Sequence, residues 1–218
     1  MRDVPSGPVS RPSAPSAAQR ETVMAIAQAL APLDLAAFEP VLGTITVRHL
    51  APGEALLQAG APGAREYFVL DGVLRTWVAD AQGREVTLAF HPGPGVLTPA
   101  IARTADGCSR VHCQALEASC VAGFDADLLV ACMVENPAVQ RWGDAVLRAE
   151  LMRRVDCEWA LAALPAAERL QHFRAQFPGL EARVAQRHVA SYLGITPVSL
   201  SRLRAQERAG HKAKATGG

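Results

Sequence analysis

No apolar run in the sequence approaches the roughly 18 residues of a membrane-spanning helix, and the longest, from Leu128 to Val134, is core-sized. A helical membrane span is excluded. The residues after Met1 are Arg, Asp, Val, Pro, Ser and Gly, without the apolar stretch of a secretory signal. The five cysteines, Cys108, Cys113, Cys120, Cys132 and Cys157, are odd in number and contain no Cys-x-x-Cys pair. Free thiols in a reducing compartment fit that better than a disulfide framework, so the expected location is cytoplasmic. Net charge is also nearly absent: 22 Lys and Arg face 21 Asp and Glu, a balance of +1. Taken whole, this is not a polycation that coats nucleic acid without discrimination.

What is present is a folded composition of 218 residues, half of them apolar and a fifth charged. The neutrality is a cancellation. Residues 1–135 carry 9 basic against 14 acidic side chains, and residues 136–218 carry 13 against 7. The excess of base lies in residues 165–218, with 9 against 3. An acidic module is thus joined to one that prefers a polyanion.

Residues 1–19, rich in Pro, Ser and Gly, read as a disordered tail. Apolar residues at Val23, Ile26, Ala27 and Leu30, then Leu35, Phe38 and Leu42, predict two short lead-in helices separated at Pro32 and Asp34. Between Thr44 and Asp125 the pattern changes to short alternating pieces punctuated by glycine, which predicts an antiparallel β jelly roll. Asn136 and Pro137 then open an uninterrupted segment to Leu164, a helix of about 40 Å at about 1.5 Å per residue. Val139, Trp142, Val146 and Ala149 recur along it at helical spacing. Such a stripe packs either on its own sheet or, as the length favours, across a dimer seam.

The most specific pattern is VAQRHVASYLGITPVSLSRLR, residues 184–204. Val189, Ala190 and Leu193 form one helical face, Gly194 permits a tight turn, Ile195 fills the space beneath it, and Leu200 and Leu203 return to the same core. This is helix-turn-helix spacing. Thr196 and Pro197 are an N-cap and first-turn pair for the second helix. Val198, Ser199, Ser201 and Arg202 fall off the core face. On a nucleic acid, Arg202 suits a guanine edge and Val198 a thymine methyl; Gln186, Arg187, Thr196 and Ser199 suit phosphate oxygens. The plain alternative is a helical hairpin with a polar outer face.

With LAPGEALLQAG and EYFVLDGVLR in the strand region, LPAAERL at the hinge and VASYLGITPVSLSRLR at the end, residues 30–206 resemble the Crp/Fnr-type bacterial transcription regulators. The resemblance implies an α+β chain: an antiparallel β jelly roll (double-stranded β-helix), a long dimerisation helix and a C-terminal helix-turn-helix. The implied domains are a sensory jelly roll with its lead-in helices at 20–135, a dimerisation helix at 136–164 and a DNA-binding domain at 165–206. Residues 207–218, a basic flexible tail, stand where family members have a β-hairpin wing, so the wing is expected to be missing or vestigial. The resemblance places Arg202 on a base, Val198 where many members carry a base-reading glutamate, and Gln186, Thr196 and Ser199 on phosphate. Implied partners are a second copy of the chain, double-stranded DNA with a palindromic site, and RNA polymerase. No membrane partner and no enzymatic activity are expected.

Members that bind cyclic AMP use a Gly-Glu pair and an Arg-Ser or Arg-Thr pair. The matching stretch, residues 91–116, has Pro99 in place of the glutamate and Ser109-Arg110 in reversed order, while Arg103-Thr104 lies about five residues early. Moving an arginine one place along a strand turns it to the other face. An ordinary cyclic-AMP site is therefore not expected, Arg103 and Arg110 being the candidates for an effector pocket, and the effector stays open. His91, Cys108, His112 and Cys113 do not follow a zinc spacing, and neither haem nor metal is supported. A metal-dependent enzyme of the cupin type would need His-x-His, and His49, His91 and His112 are isolated.

Overall fold

The computed structural model describes residues 11–98 and 102–216, with side chains to residue 209. They divide into two compact units: Met1–Val78 with Leu88–Met152, and Ala79–Thr87 with Arg153–Gly218.

The first unit opens with α1 (Ala17–Leu30) and α2 (Leu35–Gly43). Ser16 and Gln19 form a reciprocal capping box at the start of α1, and Asp34 caps α2 through Ala36 and Ala37. Order begins earlier than the composition implies. Ser13 exchanges backbone hydrogen bonds of 2.9 and 2.8 Å with Val47. Residues 11–19 of the expected disordered tail are thus held by backbone pairing and a cap, neither of which requires a side chain to bury; residues 1–10 lie outside the described residues.

Among the described residues eight strands follow: β1 (Thr46–Leu50), β2 (Ala55–Leu57), β3 (Arg65–Asp71), β4 (Val73–Ala79), β5 (Glu85–Pro92), β6 (Gly95–Leu97), β7 (His112–Ala115) and β8 (Ser119–Asp125). They form two four-stranded sheets, ordered β1-β8-β3-β6 and β2-β7-β4-β5. The pairs β1–β8, β3–β8, β3–β6, β2–β7 and β4–β7 are antiparallel. Period-2 alternation sends β3 to two cores at once. Tyr67 and Val69 join Leu50, Leu74, Cys113 and Val121 in one cluster. Phe68, between them, joins Ala122, Phe124 and the helical residues in the other. With apolar partners on both faces, β3 reads as a nearly continuous apolar run. Gly72, at the β3–β4 turn, has φ +88°, and a Cβ there would lie 2.6 Å from the Ser119 backbone.

After β8 comes α3 (Ala126–Glu135), capped by Asp125, and then α4 (Pro137–Ala163), whose first amides at Ala138 and Val139 donate to Asn136 Oδ1. The start of α4 belongs to its own domain. Trp142 is 2% exposed, donates from Nε1 to Ala27 O at 2.8 Å, and packs against Phe38 and Phe68 with ring centroids 5.1 and 6.3 Å away. Val139 and Val146 are buried in the same cluster. This corrects the seam expected at Val139, Trp142, Val146 and Ala149: the first three pack on their own sheet and lead-in helices, and the small Ala149 is exposed. Among the described residues, α4 leaves the large apolar side chains Leu147, Leu151, Met152, Val155, Trp159 and Leu161 exposed.

The second unit contains the rest of α4, α5 (Ala166–Gln176), α6 (Leu180–Arg183), α7 (Gln186–Tyr192) and α8 (Pro197–Thr216). Phe173, Phe177 and Tyr192 stack at 5.5 to 6.1 Å among Leu170, Leu180, Val189 and Leu200. The tip of the β4–β5 hairpin belongs here as well. Ser191 Oγ on α7 accepts from Thr87 N at 2.9 Å and donates to Glu85 O at 3.0 Å. Residues 207–216, expected as flexible tail, continue α8, and among the described residues no strand follows them. With no Gly–Pro break after Arg204, Ala, Gln, Glu, Arg and Lys allow the helix to propagate.

Candidate nucleic-acid interface

α7 and α8 are joined by Leu193, Gly194, Ile195 and Thr196. Gly194 turns the chain with φ +66°, a conformation that disfavours any Cβ. Ile195 N reaches back to Ala190 O at 3.0 Å, and Gly194 N to Ser191 O at 3.1 Å. Val189, Ala190, Leu193 and Leu200 are buried, so the apolar face read from spacing is the face that packs; Leu203 and Ile195 are half-buried.

The polar positions divide into two kinds. Thr196 Oγ1 accepts from Ser199 N at 3.1 Å and lies 2.9 Å from Ser199 Oγ, so this pair caps α8. Gln186 Nε2 donates to Pro197 O at 3.0 Å, tying the start of α7 to the start of α8. These three residues brace the turn at the positions expected to touch phosphate. Arg187 and Arg202 are exposed, and Val198 is 61% exposed on the first turn of α8.

An ion network joins α5, α6 and α8, and of its members only Arg204 belongs to the motif. Arg174 on α5 donates to Glu181 at 2.5 Å and to Glu207 at 3.0 Å, and Arg204 Nε donates to Glu181 at 2.7 Å. Burial raises the Glu181 pKa, but hydrogen bonds from Arg174 and then Arg204 more than offset this and hold it below the ordinary carboxylate value. Burial pushes the Tyr192 hydroxyl upward, and the adjacent Cys157 adds to the effect. The signal for the network was the pairing of Arg and Glu across separate helices, which no local spacing reveals.

Residues 47–136 match the cyclic nucleotide-binding domain family. Among solved structures, FixK2 from Bradyrhizobium japonicum is 20% identical, with 77% of this chain and 86% of that one covered at a TM-score of 0.67. The c-di-GMP-responsive global regulator CLP from Xanthomonas campestris is 16% identical, with 82% and 93% covered at 0.65. A protein from Eubacterium rectale described as a transcriptional regulator of the crp/fnr family is 14% identical, with 82% and 85% covered at 0.65. The chain has the Crp/Fnr fold. Comparison with curated protein sequences gives no match.

Within the cyclic nucleotide-binding domain of this Crp/Fnr fold, the two candidate effector arginines separate. Arg103 lines a cavity of about 440 Å3 together with Arg48, Leu57, Arg65, Tyr67 and Ser109. Arg110 is exposed and is not among the residues lining these cavities. Its neighbour Ser109 is buried, bonded through Oγ to the Val111 backbone. The cavity's arginines are engaged: Arg48 pairs with Glu54 at 3.0 Å, Arg65 donates to Thr44 O and Gly123 O, and Arg103 donates to Arg65 O at 2.8 Å. Pro99 lies outside the described residues.

The histidines and cysteines of this domain do not converge. His91 lies 3.3 Å from Thr76 Oγ1, and His112 stacks on Trp77 at 4.2 Å. Among the described residues no three His, Cys, Asp or Glu side chains gather as a metal site would require. Burial pushes the Cys113 and Cys120 thiols upward, away from the reactive thiolate. Among the described residues, no helix is long and apolar enough to cross a membrane.

Proposed function

We propose that this chain is a sequence-specific, DNA-binding regulator of transcription that acts as a homodimer. The observation that carries the reading is the α7–α8 pair itself: a four-residue turn locked by Gly194 and capped by Thr196, with Val198 and Arg202 exposed beside the cap. Arg202 reads a base edge through its guanidinium, Val198 offers apolar contact, and Arg187 meets the phosphate backbone. Thr196, Ser199 and Gln186 keep their phosphate-facing positions but act first by fixing the entry of α8.

The dimer seam runs along Leu147, Leu151, Met152, Val155 and Trp159, which are among the apolar side chains that α4 does not bury. Two recognition helices then enter successive major grooves about 34 Å apart, on a palindromic site. The strand orders of the two sheets support the jelly-roll reading of the sensory domain, which serves as effector-sensing or structural dimer module. The reversed Ser109-Arg110 order and the engagement of Arg103 support a domain that is not an ordinary cyclic-AMP receptor.

An unbiased DNA-site selection on the purified protein tests the reading. A two-fold symmetric motif should be enriched, and Arg202→Ala should weaken binding by about 1–3 kcal/mol while relaxing preference at one position of each half-site. Selection that enriches no motif, together with unchanged binding by Arg202→Ala, would overturn it.

A further inference from the structure

A second cavity, of about 210 Å3, lies in the first unit between β3, β6 and β8 and the helices α3 and α4, with Tyr67 in its wall. Val96, Leu97, Phe124, Leu129, Met133 and Val146 supply most of its wall. Its polar end holds Glu66 and Arg103, a pair 3.5 Å apart, with Asp127 at the rim. Arg103 separates it from the arginine-lined cavity described above.

Size and charge together define the occupant. A protein cavity of about 150 Å3 with apolar walls stays dry and takes a benzene molecule. The present one admits a single ring with a short substituent. Two carboxylates face one guanidinium at the polar end, so an added anion is repelled and desolvated without compensation. A nucleotide is excluded on both counts.

The wall is built to yield. α4 carries its one glycine, Gly143, at this cavity, and a Cβ there would lie 2.5 Å from Met133 Cε. Glycine thus lets the Met133 side chain of α3 lie directly on α4. Methionine, unbranched and flexible, can move aside for a guest. A guest that displaces it changes the contact between α3 and the helix that carries Leu147 and Leu151.

We propose that this cavity binds a small, uncharged, largely apolar molecule, one aromatic ring or about six to eight carbons with at most one hydrogen-bonding group, and that it does so apart from the arginine-lined cavity. Its use as an effector site rests on the regulator reading; the binding does not. The two fail separately, because the DNA-site selection reads no small molecule and the test below reads no DNA.

The test is titration of the full-length protein with toluene, indole and cyclic AMP, followed by calorimetry and thermal melting. Toluene or indole should bind saturably and raise the melting temperature, and cyclic AMP should not compete. Leu129→Phe, which fills the cavity, should weaken toluene binding at least tenfold with an unchanged circular dichroism spectrum. Val146→Ala, which enlarges it, should shift preference toward indole. The two variants alter volume in opposite directions, so a folding defect in one leaves the other informative. Absence of saturable binding up to the solubility limit, affinity untouched by both variants, or competition by cyclic AMP would overturn the proposal. So would binding that appears only in Leu151→Glu, since a second copy would then be the natural occupant.

Discussion

Replacing Trp142 distinguishes a helix that belongs to its own domain from one that exists for a partner. The side chain is 2% exposed, contacts Phe38 and Phe68, and donates its indole N–H to Ala27 O at 2.8 Å. Trp142→Phe keeps most of the ring contact and leaves the Ala27 carbonyl without its donor, a loss of about 1–3 kcal/mol. Trp142→Ala also opens a cavity amid the aromatic cluster, for a total of about 3–5 kcal/mol. Against a usual domain stability of about 5–15 kcal/mol this is severe. With a urea slope of about 2–3 kcal/mol per molar, the midpoint should fall by about 1–2 M for the alanine variant and by less for phenylalanine. Urea unfolding at two well-separated protein concentrations, paired with sedimentation velocity, reads both stability and association. The graded loss should persist at both concentrations. Leu151→Glu, on the exposed side of α4, should instead promote dissociation. If Trp142→Ala left the midpoint in place and dissociated a dimer, the assignment of Trp142 to the intradomain core would be wrong.

Three further outcomes follow from the C-terminal unit. Gly194→Ala forces a Cβ into a left-handed backbone and should destabilise by about 1–2 kcal/mol, read as a lower melting temperature; a neutral or stabilising effect would contradict the turn geometry. Thr196→Ala removes the cap on Ser199 N and should cost about 1 kcal/mol, with Thr196→Ser recovering most of it in the same melt. Glu181 has a folded pKa below its unfolded value, so its contribution is full above about pH 4.3 and is lost as the pH falls through the lower folded value. Urea midpoints measured from pH 6 to pH 3 should therefore fall less for Glu181→Gln than for the parent protein. Equal slopes in the acid range would exclude a role for this carboxylate in acid sensitivity.

The α7–turn–α8 pair was legible because every constraint on it is local. Ala190 and Gly194 lie four residues apart in the chain, and the backbone there needs φ +66°, which glycine adopts readily. The division of α4 between buried and exposed faces was not legible in the same way. Val139, Trp142 and Val146 and the set from Leu147 to Trp159 both recur at helical spacing, and periodicity reports that a face is covered without saying by what. Only the positions of α1 and α2, brought together through Ala27 and Phe38, assign the first set to the domain itself. α3 escaped because Leu128–Val134 is a short apolar run of the length shared by strands and buried helices. β6 is three residues beside Pro94, too short to carry a period. Arg103 was read as five residues out of register with an anion site. In space it faces Glu66, a pairing across 37 positions that no linear pattern encodes.

The network that joins Arg174, Glu181, Arg204 and Glu207 has a consequence for how ionic strength acts on this protein. Charge that is already neutralised within the fold releases few counterions when a polyanion arrives. Two of the nine basic side chains in residues 165–218 are committed in this way. The logarithm of affinity should therefore decline with the logarithm of salt less steeply than a count of arginines and lysines suggests. On the regulator reading proposed above, discrimination between sites then comes from the few uncommitted groups on α8, so a small error in their placement weakens selectivity more than it weakens attraction.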